Sequence, residues 1–186
     1  MSTEVHGFTR TLTGRIVLRV DVVEKGLLNT LLEQMIDLVA PAEADPDADP
    51  LAALIGIDVH AERPDDPALA RMFPDAYADD PEASAEFRRY TERGLREAKV
   101  AAANTAISTL ASSGEKVTLS EDQARAWLTA LNDLRLAIGT RLEVTEDNHE
   151  MLANLPEDDP RGGLFHVYDW LTYLAETLVR CLMPRG

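Results

Sequence analysis

The apolar residues of 121–142 recur at the spacing of one helix face, and this pattern constrains the fold more than any other feature. The stripe consists of Ala124, Trp127, Leu128, Leu131, Leu134, Ile138 and Leu142. Such a stripe has to be covered by other elements, because apolar area left in water costs about 25 cal/mol per Å². Ser120 and Gln123 have the spacing of a capping box, so we expect the helix to begin at 121.

Three other segments predict long helices. Residues 21–40 start with the capping-box pair Asp21 and Glu24 and end before Pro41. Residues 161–182 are apolar on most sides, which predicts that this helix is the central one. A helix from Pro81 to about residue 110 is expected to bury a stripe made of Phe87, Leu95, Ala98, Ala102, Ala106 and Leu110. Two shorter helices are expected, at 66–73 and from a Thr145 cap to about 154.

Residues 8–20 predict a β-hairpin, since apolar and polar positions alternate around a Thr13–Gly14 turn. Residues 116–119 are expected to be extended. We therefore predict a mainly α fold, a bundle of about four to six helices with a small N-terminal β-hairpin, in a single domain over 1–186.

An acidic, proline-rich segment at 41–80 is predicted to connect the first helix to the main bundle at 81–182. Residues 41–82 hold 12 acidic and 2 basic side chains and seven of the ten prolines. Its apolar patch comprises Leu51, Leu54, Ile55 and Ile57. The patch is interpreted either as an interaction segment that docks on a basic partner or as a surface that packs on its own bundle.

The charge of the chain bears on its partners. With 33 acidic and 18 basic side chains, the formal net charge is −15. Such a charge repels phosphate, so direct nucleic-acid binding is not expected. No apolar run is long enough to cross a bilayer, and one cysteine makes no internal disulfide, so we expect a cytoplasmic protein without membrane contact. The apolar breadth of the helices favours a homodimer.

Catalytic and cofactor motifs are not found, so we expect a non-enzymatic protein without a cofactor. Two His–acid pairs at helical spacing, His166 with Asp169 and Glu146 with His149, offer too few ligands for a metal. The basic residues of 86–99 are interpreted as a solvated face or a counterweight to the acidic connector, with phosphate binding as the alternative.

A polar group on the predicted 121–142 helix is the main candidate site. It comprises Asn132, Asp133, Arg135 and Arg141, and Asp169 on the last helix is expected to meet Arg135 or Arg141. A buried charge needs a partner, so the group is predicted to be a structural ion-pair network; a catalytic or ligand role is the alternative.

Cys181 follows the apolar positions Leu174 and Leu178, which favours an inert packing residue. It also lies close to the end of the last helix, where fraying would expose its thiol to oxidation. Both interpretations stay open.

Four segments carry a family resemblance. They are Trp127–Arg141, Val167–Val179, Met72–Tyr77 and Glu86–Arg89. With these segments the chain resembles the actinobacterial oxidative-stress transcriptional regulator family (AosR-type), formerly a domain of unknown function, over nearly its whole length.

The resemblance implies a redox-responsive regulator that works with an alternative sigma factor and RNA polymerase. It also implies links to a cysteine-biosynthesis operon and to the Clp-protease adaptor, so an adaptor or assembly protein for Clp proteolysis or cysteine metabolism is the alternative. The family's switch uses an intramolecular disulfide, which a chain with Cys181 alone lacks. This member therefore senses through an intermolecular bond or without thiol chemistry.

Overall fold

The computed structural model describes residues 6–41, 57, 61–111 and 114–184. Within these ranges the elements are β1 (Gly7–Arg10), β2 (Ile16–Arg19), α1 (Val22–Val39), α2 (Pro67–Met72), α3 (Pro81–Ala111), β3 (Lys116–Leu119), α4 (Glu121–Arg141), α5 (His149–Ala153) and α6 (Pro160–Leu182). The predicted mainly α fold is confirmed. No helix in these ranges is both long and apolar enough to cross a membrane.

The sheet has three antiparallel strands in the order β1-β2-β3. Phe8 lies opposite Leu18 in the predicted hairpin, and Gly14 in its turn has a φ of +84°, which favours glycine. The hairpin is extended by β3, where Leu119 lies opposite Ile16. The sheet therefore combines the N-terminal hairpin with a strand from between α3 and α4.

Both predicted capping boxes are present. Asp21 and Glu24 exchange side chain–backbone bonds at the start of α1, and Ser120 and Gln123 do so at the start of α4. The Thr145 cap is wrong, because Thr145 bonds to Asn148 and α5 begins only at His149. Thr145 and Asn148 bond to each other through side chain and backbone, so their side chains are occupied in the turn that precedes α5.

The centre of the bundle is α4 rather than α6. Helix α4 packs against α1, α2, α3, α6 and β3, whereas α6 packs against α4, α5 and β1. Trp127 of α4 is fully buried, donates from Nε1 to Thr109 Oγ1 at 2.9 Å and meets the edge of the Phe8 ring. The breadth of the apolar stripe on α6 is explained by its contact with the sheet as well as with α4.

Part of the predicted connector belongs to the core. Asp66 caps α2, and Ala68, Met72 and Phe73 are buried in the same apolar cluster as the sheet and the long helices. Pro67 is compatible with this packing because it occupies the first turn of α2, where a backbone N–H has no partner within the helix.

Candidate functional site

The inward face of the first half of α3 is charged, not apolar. Arg88 and Glu92 are 6% and 10% exposed at their side chains, whereas Phe87 and Leu95 are 45% and 49% exposed. The predicted inner stripe is therefore correct only in the second half, at Ala106 and Leu110. The first half of α3 is rotated so that its charges meet the loop after α2.

Arg88 holds that loop in place. Its guanidinium pairs with Glu92, donates to Asp75 Oδ1 at 2.9 Å and donates to the carbonyl of Phe73 at 3.1 Å. Burial works to lower the pKa of Arg88, but the hydrogen bonds to Glu92 and Asp75 outweigh it and raise the pKa. The arginine therefore stays charged although it is buried.

Arg96 completes this group one turn later. Its Nε and Nη2 donate to Glu92 Oε1 at 2.9 and 2.7 Å, and its Nη1 donates to the carbonyl of Val39 at 3.1 Å. Its guanidinium carbon also lies 4.6 Å from the centre of the Phe73 ring. We call Asp75, Arg88, Glu92 and Arg96 the Glu92 cluster; it joins the end of α1 and the loop after α2 to α3.

A second buried ion pair joins α3 to α4. Lys99 Nζ lies 2.6 Å from Asp133 Oδ1, and the Asp133 side chain is 1% exposed. The other oxygen, Oδ2, is buried and has no hydrogen-bond partner among the described residues. Burial raises the pKa of Asp133, and the hydrogen bond and charge of Lys99 act in the opposite direction.

This pair borders an open groove of about 720 Å³. Lys99 lines it from α3; Leu128, Thr129, Asn132, Asp133 and Arg135 line it from α4; and Ala175, Glu176, Val179 and Arg180 line it from α6. We call it the Asp133 groove. Its volume lies in the range of small-molecule sites, about 300–1,000 Å³.

The outward side of α3 presents apolar rings to solvent. Phe87, Tyr90 and Leu95 of α3, together with Tyr77 before it, are between 45% and 60% exposed. The rings of Tyr77 and Phe87 meet edge to face at 6.2 Å between centroids. We call Tyr77, Phe87 and Tyr90 the α3 aromatic face. Leu95 lies three residues after Glu92, on a different side of the helix.

Comparison with known proteins assigns the chain to a family. The family described as "Domain of unknown function (DUF2017)" matches residues 5–182. The chain belongs to the DUF2017 family.

Curated relatives give DUF2017 a more informative context. The chain is 38% identical over 174 residues to "Oxidative stress regulator AosR" of Mycobacterium tuberculosis (strain H37Rv), covering 86% of this chain and 78% of the relative. The protein of the same name in Mycobacterium bovis matches equally, and a Mycobacterium leprae relative is 36% identical over the same length. No solved structure matches the chain significantly. The predicted AosR-type membership is confirmed.

The predicted ion-pair network of this DUF2017 chain is only partly formed. Asp133 is buried and paired, but with Lys99 rather than with an arginine. Asn132 and Arg141 are exposed. Arg135 Nε donates to Thr172 Oγ1 at 2.9 Å, and its guanidinium lies over the Tyr168 ring.

The expected contact of Asp169 with Arg135 or Arg141 is wrong. Asp169 is exposed, and no described arginine pairs with it. Arg135 lies opposite Thr172, while Gly139 lies so close to Tyr168 that a Cβ there would be 3.0 Å from the ring. Tyr168 and Thr172 are one helical turn apart and both face α4. Asp169 comes directly after Tyr168, so it points to a different side of α6, towards solvent.

The sequence interpretation of residues 86–99, a solvated face or a counterweight to the acidic connector, does not single out the Glu92 cluster. Arg88 does pair with Asp75 of that connector. The signal available in the sequence is the i, i+4 series Arg88, Glu92 and Arg96, following an aromatic and an acid at Phe73 and Asp75. Spacing alone does not separate a buried series from an exposed one such as Arg93 and Glu97, which the structure places at the surface.

Cys181 is a packing residue in this structure. It is 6% exposed, and Arg10 Nη1 donates to its carbonyl at 3.2 Å. Burial raises the pKa of the thiol, against the smaller effect of Arg10 and Arg180. Fewer thiolates at neutral pH mean slower oxidation, so the structure favours the inert interpretation over the redox one.

Most of the predicted interaction segment is not described by the structure. Leu51, Leu54 and Ile55 lie outside the described residues, and Ile57 is half-buried.

Among the described residues, one group has metal-ligand spacing, namely His6, Asp21 and Glu24. Its close approach is explained by the capping box of α1 and the His6–Glu24 bond of 2.8 Å.

Proposed function

We propose that this protein is a non-enzymatic regulator in the oxidative-stress response that acts by contact with a protein partner, a sigma factor or RNA polymerase. The observation that carries the regulatory role is the 38% identity, over 86% of the chain, to proteins named oxidative stress regulators. The partner follows from the family resemblance and from the surface described next.

The α3 aromatic face supports a protein contact. Phe87 and Tyr90 lie three residues apart on one exposed side of α3, and the exposed ion pair Arg93–Glu97 follows Tyr90 on the same helix. Aromatic anchors bordered by charged residues are typical of protein interfaces, where a few rings supply most of the binding energy. The net charge of −15 favours a basic partner surface over nucleic acid.

The redox signal, in this proposal, does not depend on the thiol of this chain. Cys181 is buried with a raised pKa, which opposes both sulfenic acid formation and a bond to a second chain. We propose instead that the state of the partner changes with oxidation and that this chain recognises it.

The test is an affinity capture from native lysate, with and without peroxide, read by mass spectrometry. The chain is compared with a Phe87→Ser/Tyr90→Ser variant and with Cys181→Ser. Met151→Ser is the matched control, since Met151 is an equally exposed apolar residue on α5.

We expect sigma-factor or polymerase subunits to be captured by the wild type, Met151→Ser and Cys181→Ser, and lost with the double variant. Capture of Clp components instead, regardless of peroxide, would replace this proposal with the adaptor alternative. The predicted homodimer stays a prediction and is checked by light scattering on the same samples.

A further inference from the structure

A glycine borders the α3 aromatic face at a position where the described packing does not require one. Gly94 lies inside α3, and in a helix interior glycine is less favourable than every residue except proline. It is exposed, and a Cβ built on it meets no atom of the described residues within 4 Å. Space within the chain would therefore allow any helix-forming residue at this position.

Gly94 lies beside the two rings that α3 contributes to the face. It follows Tyr90 by four residues and Phe87 by seven, so the three positions share one side of the helix. Both rings are exposed, at 60% and 45%. A glycine here leaves a gap next to the rings, in which the backbone of another molecule can approach α3 closely.

The third ring of the face is held in position by a buried serine. Ser84, which is 3% exposed, accepts a hydrogen bond from the backbone N–H of Tyr77 at 3.0 Å. Its hydroxyl donates to the Tyr77 carbonyl at 2.8 Å. The Tyr77 ring then meets the edge of the Phe87 ring. A surface fixed in this way loses little conformational freedom on binding, which favours association.

The charge around the face indicates the chemistry of the partner. Residues 79–86 contain no basic residue and four exposed acids, Asp79, Asp80, Glu82 and Glu86. Glu86 comes directly before Phe87, so its charge lies beside the rings. Farther along α3, Arg89 is exposed and Arg93 is paired with an acid. An acidic border next to exposed rings favours a partner with basic residues around an apolar stripe.

We propose that the α3 aromatic face seats a basic amphipathic helix of the partner, whose backbone crosses α3 at Gly94. The inference rests on the proposed function, since it names the chemistry of the partner for the same surface. A helix presents an apolar stripe bordered by cations, and such a stripe binds to apolar surfaces of other proteins. Its apolar side chains cover Tyr77, Phe87 and Tyr90, and its basic residues meet the acids of 79–86.

The test is fluorescence anisotropy of the full chain with a labelled synthetic amphipathic helix made of leucine and lysine. A leucine–glutamate peptide of the same pattern is the charge control. We expect the lysine peptide to bind and the glutamate peptide not to bind. Phe87→Ser/Tyr90→Ser should remove binding, because it removes the rings that the apolar stripe covers.

Substitution of Gly94 separates partner binding from fold stability. Gly94→Ala and the larger Gly94→Gln should weaken peptide binding about fivefold or more, because their side chains fill the gap beside the rings. Both should raise the melting temperature, because alanine and glutamine favour a helix over glycine. Gly26→Ala is the matched control, since its Cβ also meets no described atom; it should raise the melting temperature and bind like wild type.

A pair of charge variants tests the acidic border. Glu82→Gln/Glu86→Gln should weaken binding of the lysine peptide. Glu143→Gln/Glu146→Gln changes the net charge by the same amount at exposed positions after α4 and should leave binding unchanged. Equal weakening by both pairs would mean nonspecific attraction to an acidic protein and would overturn the proposal.

Two further results would overturn it, namely no binding of the lysine peptide and wild-type binding by both Gly94 variants. The proposed function fails separately. If the lysate yields no sigma-factor or polymerase subunit while the peptide still binds in a manner sensitive to Gly94, the identity of the partner is refuted and this inference stands. If those subunits are captured equally by wild type and Gly94→Gln, the inference fails and the proposed partner stands.

Discussion

Arg88 and Glu92, one turn apart on α3, form an ion pair in which both side chains are buried, at 6% and 10% exposure. Each has a second partner, because Arg88 also reaches Asp75 and Glu92 also accepts from Arg96. Because Arg96 also donates to the carbonyl of Val39, this arrangement fixes the loop after α2 and the end of α1 against successive turns of α3.

Removing the shared carboxylate should be costly. Glu92→Gln leaves two buried or half-buried arginines short of negative charge, so we expect a loss of about 3–5 kcal/mol in the free energy of unfolding. Glu97→Gln removes the comparable but exposed partner of Arg93 and should cost less than about 1 kcal/mol. Urea denaturation of both variants checks this; equal losses would refute a structural role for the Glu92 cluster.

The raised pKa of Asp133 predicts a pH dependence of stability. Between the ordinary value of 3.8 and the higher folded pKa, the native state binds more protons than the unfolded chain. Stability contributed by this group therefore falls as pH rises through that window and is constant above it.

The measurement compares wild type with Asp133→Asn, which does not titrate there. The free energy of unfolding of wild type minus that of the variant should fall as pH rises from about 4, and then level off. A difference that grows with pH would mean that Lys99 outweighs burial and lowers the pKa of Asp133.

The Cys181 thiol should react slowly. Burial and a raised pKa both reduce the accessible thiolate. We expect labelling by an aromatic disulfide reagent to be at least about tenfold slower in buffer than in denaturing urea. A free thiol peptide in the same two solvents controls for the effect of urea on the reagent. Equal rates would show that the end of α6 opens and would restore the redox interpretation.

Replacing either of two helix glycines by alanine should change the stability of the fold, in opposite directions at the two positions. A Cβ at Gly26 of α1 meets nothing within 4 Å, so Gly26→Ala should stabilise the fold by about 0.5–1 kcal/mol through helix propensity. At Gly139 of α4 the new Cβ would lie 3.0 Å from the Tyr168 ring, and the forced shift should exceed that gain. Thermal melting of the two variants tests this prediction. An equal rise in melting temperature in both would show that α6 moves away from the new Cβ at little cost.

The local elements were predictable, since helix periodicity and capping are properties of neighbouring residues. The capping boxes Asp21–Glu24 and Ser120–Gln123, the hairpin and the long helices appear where their patterns predict them. Of the candidate site, the sequence identified Asp133 and Arg135 as important polar positions. It did not identify their partners, Lys99 and Thr172, which lie 34 and 37 residues away.

The sequence by itself therefore determined which segments are helices and strands, because hydrogen bonding within a helix and alternation within a strand are local. The tertiary structure alone decided which face of α3 is buried. Arg88 and Glu92 can face inward only because the Phe73 carbonyl, Asp75 and Arg96 supply bonds that offset their lost hydration. Arg96 comes from α3 itself, but the Phe73 carbonyl and Asp75 come from the loop after α2, and their arrival depends on how the helices pack.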